Sequence, residues 1–323
     1  MSYIEERVKI EGEVTLGATV THWDDSEKRP AIVIIMGTGK LDRDGNGGGI
    51  NMEMYSNLAK EFSDWGFVTV RYDKRGTHES TGNFNHTGLL DLVEDATTVV
   101  RYISSQPYVD PSKVIVCGHS EGAIIATILS QKADVAGMIL LGGAATSLKD
   151  ALYYQNNLVA DQAQNMTGLK GALLRKTATR EKNIEKVDKL FSKAEGTDKD
   201  TMLYQGMPMP AKWFREHDLY SSDVLIGILR NYGKPILAIT GTADLSMDYR
   251  RLDIIRDIPQ VECYAPENVN HILREIDDDN LLINVKKQYI RLAKLPMHEG
   301  AVQKIHEWLD RFNRSGRNPF IYL

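Results

Sequence analysis

A serine set between glycines, where a strand runs into a helix, is the first feature with chemical content. Gly118-His119-Ser120-Glu121-Gly122 fits G-x-S-x-G, follows the apolar β-rich run Lys113 to Cys117 and opens a helical pattern at Glu121. So sharp a turn forces the serine backbone into a strained conformation with its hydroxyl exposed, and small neighbours let a substrate approach. A serine hydroxyl is a poor nucleophile near neutral pH. It needs an imidazole to take its proton, and the imidazole needs a carboxylate to fix its tautomer and stabilise its charged form. The chemistry implied is acyl transfer through a covalent intermediate.

For an elbow of this kind the chain order is serine, then acid, then histidine, with the acid after a late strand and the histidine after the last one. The search therefore narrows to an Asp or Glu beyond Pro235 and to His271, His298 or His306. Asp244 ends Gly241-Thr242-Ala243-Asp244, directly after the strand pattern Pro235 to Thr240. Asp248, Asp253 and Asp257 fall farther on, in what reads as the next helix. His271 closes the loop Pro266 to Asn270 after the strand pattern Val261 to Ala265, while His298 and His306 lie near or inside a terminal helix. Asp244 and His271 are thus the expected partners of Ser120. The developing oxyanion needs preorganised donors. One is expected from the Glu121 N–H; the other comes from Gly37-Thr38-Gly39, with Thr38 favoured and Gly39 the fallback. His22, His78, His86, His119 and His217 have no carboxylate partner that the sequence supplies, and His119 is expected to pack beside the nucleophile turn.

Positioning these groups requires a sheet. Residues Val8 to Ile10 and Val14 to Leu16 alternate around Glu11-Gly12-Glu13, the pattern of a half-covered antiparallel hairpin. Continuous apolar runs then recur at Ala31–Met36, Phe67–Tyr72, Lys113–Cys117, Val135–Leu141, Pro235–Thr240 and Val261–Ala265, as in strands buried on both faces. Helical periodicity occupies Met54–Phe62, Leu89–Ile103, Glu121–Gln131 and Ile305–Phe312. The alternation predicts an α/β fold, a doubly wound, mostly parallel sheet preceded by the hairpin. About ninety residues separate Leu141 from Pro235, too many for one crossover. Residues 146–231 are therefore expected to form an inserted helical cap over a core of 1–145 and 232–323. Within the cap, Lys170 to Lys199 reads as one amphipathic helix. The apolar cluster Met202, Leu203, Tyr204, Met207, Met209, Trp213 and Phe214 reads first as core and second as the wall of an acyl pocket.

The composition excludes several classes. With 42% hydrophobic and 26% charged residues the chain is a packed protein rather than a disordered one. A net charge of −5, from 39 basic and 44 acidic side chains, provides no footprint for nucleic acid or anionic membrane. No signal-like or membrane-spanning apolar stretch is present, and the two cysteines, Cys117 and Cys263, read as buried free thiols. A cytoplasmic location is expected. Association into a homodimer is left open. Gly39-Lys40 is followed by Leu41 and Gly37-Thr38-Gly39 lacks a third glycine at position 42, so no nucleotide cofactor is expected. Asp42 to Glu53 matches the calcium loop D-x-[DN]-x-[DN]-G-x5-E position for position. That loop requires an entering helix where a buried strand leads in, so a turn-rich loop without metal is the expectation.

With these motifs in place, the chain resembles an α/β-hydrolase, and more narrowly the bacterial carboxylesterases and peptidase-like hydrolases that carry a G-S-G-P-x-D-R-D-G-N loop after the first parallel strand. The stretch here is Gly37-Thr38-Gly39-Lys40-Leu41-Asp42-Arg43-Asp44-Gly45-Asn46. Gly118 to Gly122 matches the family's G-H-S-E-G elbow, and Gly241 to Asp244 and Asn270-His271 match its G-x-x-D and N-H segments. The likeness covers the core, 1–145 and 232–323, far more than the cap. Thr38 and Lys40 replace Ser and Pro, and Met36 stands where many relatives carry histidine. The resemblance implies a serine hydrolase acting on small-molecule carboxylic esters through Ser120, His271 and Asp244. Thioester, lactone, amide or peptide cleavage and a non-catalytic ligand-binding role are the alternatives. No propeller of the kind that filters peptides in related oligopeptidases is expected, which weighs against peptides.

Overall fold

The computed structural model describes residues 3–277 and 280–313. Its centre is an eight-stranded sheet built from β1 (Tyr3–Ile10), β2 (Leu16–Trp23), β3 (Arg29–Ile35), β4 (Val68–Tyr72), β5 (Val109–His119), β6 (Gly137–Leu141), β7 (Ile236–Ile239) and β8 (Val261–Tyr264). In space the order is β1-β2-β4-β3-β5-β6-β7-β8. From β4 to β8 every pairing is parallel, while β1 pairs β2 and β2 pairs β4 antiparallel. The doubly wound sheet with an N-terminal hairpin is thus present. One detail differs from the half-covered hairpin: Leu16 to Thr21 of β2 are buried throughout, because β2 lies inside the sheet between β1 and β4 and only β1 is left at the edge.

The apolar runs divide between two cores with the period of two that a strand dictates. Ala31, Val33 and Ile35 of β3 face one side, with Val114 and Val116 of β5; Ile32 and Ile34 face the other, with Ile115 and Cys117. The first side is covered by α2 (Leu89–Ser104) and α3 (Glu121–Leu129), the second by α1 (Met54–Asp64) and the last helix described, α9 (Glu299–Asn313). Helices on both faces are what a parallel sheet requires, since its right-handed crossovers place successive helices on the faces. Cys117 is buried and Cys263 partly so, both as free thiols.

Between β6 and β7 the chain forms α4 (Leu148–Asn165), α5 (Gly168–Thr177), α6 (Arg180–Glu195), a two-stranded ribbon (Met202–Tyr204 with Met207–Met209), α7 (Ala211–Asp218) and α8 (Ser222–Tyr232). The single helix expected over Lys170 to Lys199 is two. Thr179 leaves the helical conformation and its hydroxyl accepts the Lys182 N–H, so it starts a new helix as an N-cap. Val187 and Phe191 of α6 and Phe214 of α7 form a small separate core with Met202. Leu225, Ile226 and Leu229 of α8 instead pack in the sheet core with α3, so the insertion's own core ends before α8, earlier than residue 231.

Candidate active site

Ser120 occupies the junction of β5 and α3 at φ 57°, ψ −121°, a conformation sparsely populated by residues other than glycine. Its N–H is tied to the Leu141 carbonyl of β6 at 2.8 Å. A side chain at Gly122 would put its Cβ 2.1 Å from the Ile35 carbonyl oxygen, so the first turn of α3 can pack against β3 only because that residue is glycine. The elbow predicted from G-x-S-x-G is present.

Asp244 and His271 meet at the same sheet edge. His271 Nδ1 lies 2.8 Å from Asp244 Oδ2, with both side chains more than nine-tenths buried. The second carboxylate oxygen, Oδ1, accepts the N–H groups of Ser246 (2.7 Å) and Met247 (2.9 Å), which aims Oδ2 at the ring. The histidine loop is closed by Asn270, whose side-chain oxygen accepts the N–H groups of Ile272 and Arg274 at 3.2 and 3.0 Å. Gly142, at φ 56°, lets the chain pass beside this pair: a Cβ there would stand 3.0 Å from His271 Nδ1, while the next residue, Gly143, abuts Ser120. Ser120, Asp244 and His271 therefore share one rim, though among the described residues the serine hydroxyl makes no hydrogen bond to the imidazole. Such contacts are often loose without substrate and tighten on binding. His298 lies just ahead of α9 and His306 within it; His306 stacks on Trp65 with ring centroids 4.4 Å apart, and Asp244 is paired with His271 rather than with either.

In the loop after β3, the Gly37 N–H donates to Tyr55 Oη at 2.8 Å. Glu121 is the first residue of α3, so its N–H has no partner within the helix. A hydrogen-bond chain fixes this loop relative to the base. Tyr55 Oη lies 2.9 Å from His119 Nδ1, and His119 Nε2 lies 2.9 Å from the His271 carbonyl oxygen. With Tyr55 donating, His119 is neutral and carries its proton on Nε2. Burial and the adjacent His271 ring push its pKa down to about 3. His119 packs beside the nucleophile turn as expected, and Tyr55 is the partner that the sequence did not single out.

The larger surprise is the side chain of Glu121, considered in the sequence only for its backbone. Its Oε2 pairs with the Lys74 ammonium, and Oε1 accepts Trp213 Nε1–H at 2.5 Å and His217 Nε2–H at 3.2 Å. His217 thus has a carboxylate partner after all, supplied by the approach of α7 to the elbow; His86 also has one, Asp200 at 3.1 Å, on the surface. Burial alone would push the Glu121 carboxyl up, but the Lys74 ammonium and the His217 ring hold it well below the usual carboxylate range. The sequence signal for Lys74 is a charged run, Asp73-Lys74-Arg75, at the carboxyl end of a central strand.

A cavity of about 150 Å³ opens beside these groups. Thr38, Gly39 and Glu121 border it on the core side, Phe84 and Leu92 form its floor, and Pro210 and Trp213 close it from the insertion. Trp213 is the member of the Met-rich and aromatic stretch that reaches this cavity; Met202 and Phe214 are core, and Leu203 and Met207 are exposed. The acidic loop after β3 is occupied with its own structure. Asp42 accepts the Asp44 and Asn46 N–H groups at 3.0 and 2.8 Å, Asp44 pairs with Arg71 at 2.6 Å, and Arg43 pairs with Asp73 and Glu79. Among the described residues no three His, Cys, Asp or Glu side chains are grouped so as to hold a metal ion.

Two measurements check this account. Lys74→Met leaves the Glu121 carboxylate buried without its ammonium, and a loss of about 3–5 kcal/mol in urea unfolding is expected; a loss below about 1 kcal/mol would mean the carboxylate is not dependent on the lysine. His119 binds its proton less readily folded than unfolded, where its pKa is about 6.5. The stability this supplies is complete above pH 6.5 and declines as pH falls toward 3. Glu121, with its lowered pKa, acts in the same direction below its ordinary range. Melting temperature should fall steadily from pH 6.5 to 3, and less steeply in His119→Gln.

Comparison with known proteins agrees with this architecture. A family model described as serine aminopeptidase, S33 matches residues 46–259, more than half of the chain, a span that contains Ser120 and Asp244 and stops short of His271. The esterase EstD of Thermotoga maritima is 25% identical over 282 residues, covering 87% of this chain. A multifunctional-autoprocessing repeats-in-toxin protein of Vibrio cholerae is 24% identical over 251 residues. The chain spans 60% of the length of the first and 5% of the second. Among solved structures, Est1E from Butyrivibrio proteoclasticus superposes with a TM-score of 0.56 at 14% identity, covering 94% of this chain and 99% of its own. The α/β hydrolase GrgF from Penicillium sp. sh18 superposes at 0.57 and 13% identity, covering 97% and 99%. At such identities these structures speak for the fold alone. With the sheet order, the elbow and the family match all in agreement, the chain belongs to the S33 serine aminopeptidase family of α/β-hydrolases.

Proposed function

We propose that the protein is a serine hydrolase that cleaves small-molecule carboxylic esters. Ser120 Oγ attacks the ester carbonyl as His271 Nε2 takes its proton, and Asp244, bonded to Nδ1, keeps the ring in the required tautomer and stabilises the imidazolium. The N–H groups of Thr38 and Glu121 receive the oxyanion. His271 returns the proton to the departing alcohol, then activates the water that releases the acid. The observation that carries this reading is the 2.8 Å His271–Asp244 hydrogen bond at the rim where the strained Ser120 elbow ends.

The choice of ester over peptide is supported by the cavity. An aminopeptidase must meet the substrate's α-ammonium with an uncompensated acceptor, and the carboxylate bordering this cavity, Glu121, is already neutralised by Lys74. The likeness to an esterase points the same way, whereas the family's description keeps aminopeptidase activity as the second reading. Ser120→Ala is expected to lower kcat/KM for 4-nitrophenyl butyrate by at least about 10⁴-fold. Full turnover in that variant would overturn the assignment, and faster cleavage of aminoacyl anilides than of aryl esters by the unmodified protein would favour the second reading.

A further inference from the structure

We propose that the apolar cavity beneath α7 receives the acyl half of the substrate and that Trp213 sets the longest chain it admits. The inference rests on Ser120 as nucleophile and His271 as base. In that reaction the leaving oxygen must face His271 to be protonated, so the alcohol departs on the imidazole side and the acyl group extends the opposite way. Among the described residues, none from the Asp244 or His271 loops borders the cavity, whereas Thr38, Gly39 and Glu121, which flank the oxyanion position, do. The cavity therefore adjoins the residues that flank the oxyanion position; Ser120 itself does not border it, and Glu121, the next residue, does.

The size and walls of the cavity define the substrate class. A partly open apolar cavity of about 150 Å³ holds a group the size of one benzene ring, so the acyl chain is a short alkanoyl of up to about six carbons, or a benzoyl group. Lys74 and Glu121 border the cavity, but their charges are spent on each other, and Phe84, Leu92 and Pro210 contribute apolar surface. The end wall is rigid. Trp213 Nε1–H donates to the buried Glu121 carboxylate at 2.5 Å, and the indole is wedged edge-on between Phe214 and His217, with centroids 4.9 and 4.5 Å away. To swing aside it would have to break a charge-assisted hydrogen bond to a buried carboxylate, which leaves that carboxylate under-satisfied. The length limit is therefore sharp, and one residue imposes it.

The test is kcat/KM of the full chain on 4-nitrophenyl acetate, butyrate and decanoate. Each methylene that enters an apolar pocket raises kcat/KM by about fourfold, so butyrate should exceed acetate, and decanoate should fall at least about tenfold below butyrate. Trp213→Ala is expected to raise the decanoate-to-butyrate ratio at least about tenfold by opening the end wall. Leu92→Phe, which narrows the cavity from the core side, should lower the butyrate-to-acetate ratio; it decides the matter by itself if the tryptophan variant does not fold. Equal turnover of decanoate and butyrate by the unmodified protein, or unchanged ratios in the folded variants, would overturn the proposal. Ser120→Ala in the same assay separates the two levels. Residual turnover there faults the nucleophile, while an inactive Ser120→Ala with unmoved ratios faults only the cavity assignment.

Discussion

The backbone at Ser120 sits in a region that side chains disfavour, and the surrounding chain is arranged to hold it there. Strain of this kind persists only where the neighbourhood over-determines it. Here the neighbours are the Leu141 carbonyl that takes the Ser120 N–H and the Ile35 carbonyl that lies against Gly122. Those carbonyls belong to β6 and β3, the strands on either side of β5. The elbow is therefore a property of three adjacent parallel strands, and the helices on both faces are what make a buried parallel sheet possible.

Two buried networks extend that constraint outward. The first runs from the Gly37 N–H through Tyr55 and His119 to the His271 carbonyl, tying the loop after β3, helix α1, the elbow and the histidine loop into one unit. The second centres on Glu121, which joins Lys74 after β4 to Trp213 and His217 of α7. Glu121 thus opens α3 directly after Ser120 and carries a carboxylate that fastens the insertion to the sheet. Neither network can be loosened cheaply, because Tyr55, His119, Lys74, Glu121 and His217 are buried and would be left without a partner.

The fold was legible because its signals are local. Apolar runs of strand length separated by helical periodicity identify a parallel sheet, and the alternation Ala31, Val33, Ile35 against Ile32, Ile34 follows directly from the pleat. Ser120, Asp244 and His271 were legible for a related reason: each follows a strand at its carboxyl end, so one topological rule brings them to the same rim. The readings that differ are those set by neighbours distant in the chain. The split at Thr179 depends on a capping bond that competes with helix propensity, and α8 joins the sheet core because Leu225 and Leu229 find α3, not because of their own spacing.

The amino-acid sequence alone determined the order of elements and the elbow and pointed to Asp244 and His271, since these depend on periodicity, on glycine where nothing larger fits, and on chain order. Tertiary structure alone decided the partners of Glu121, the role of Tyr55 and which residue of the apolar stretch reaches the cavity. Glu121 and Trp213 are 92 residues apart and Tyr55 and His119 are 64 apart. No local pattern encodes such a pairing, because a hydrogen bond is satisfied by whatever donor packing brings within about 3 Å.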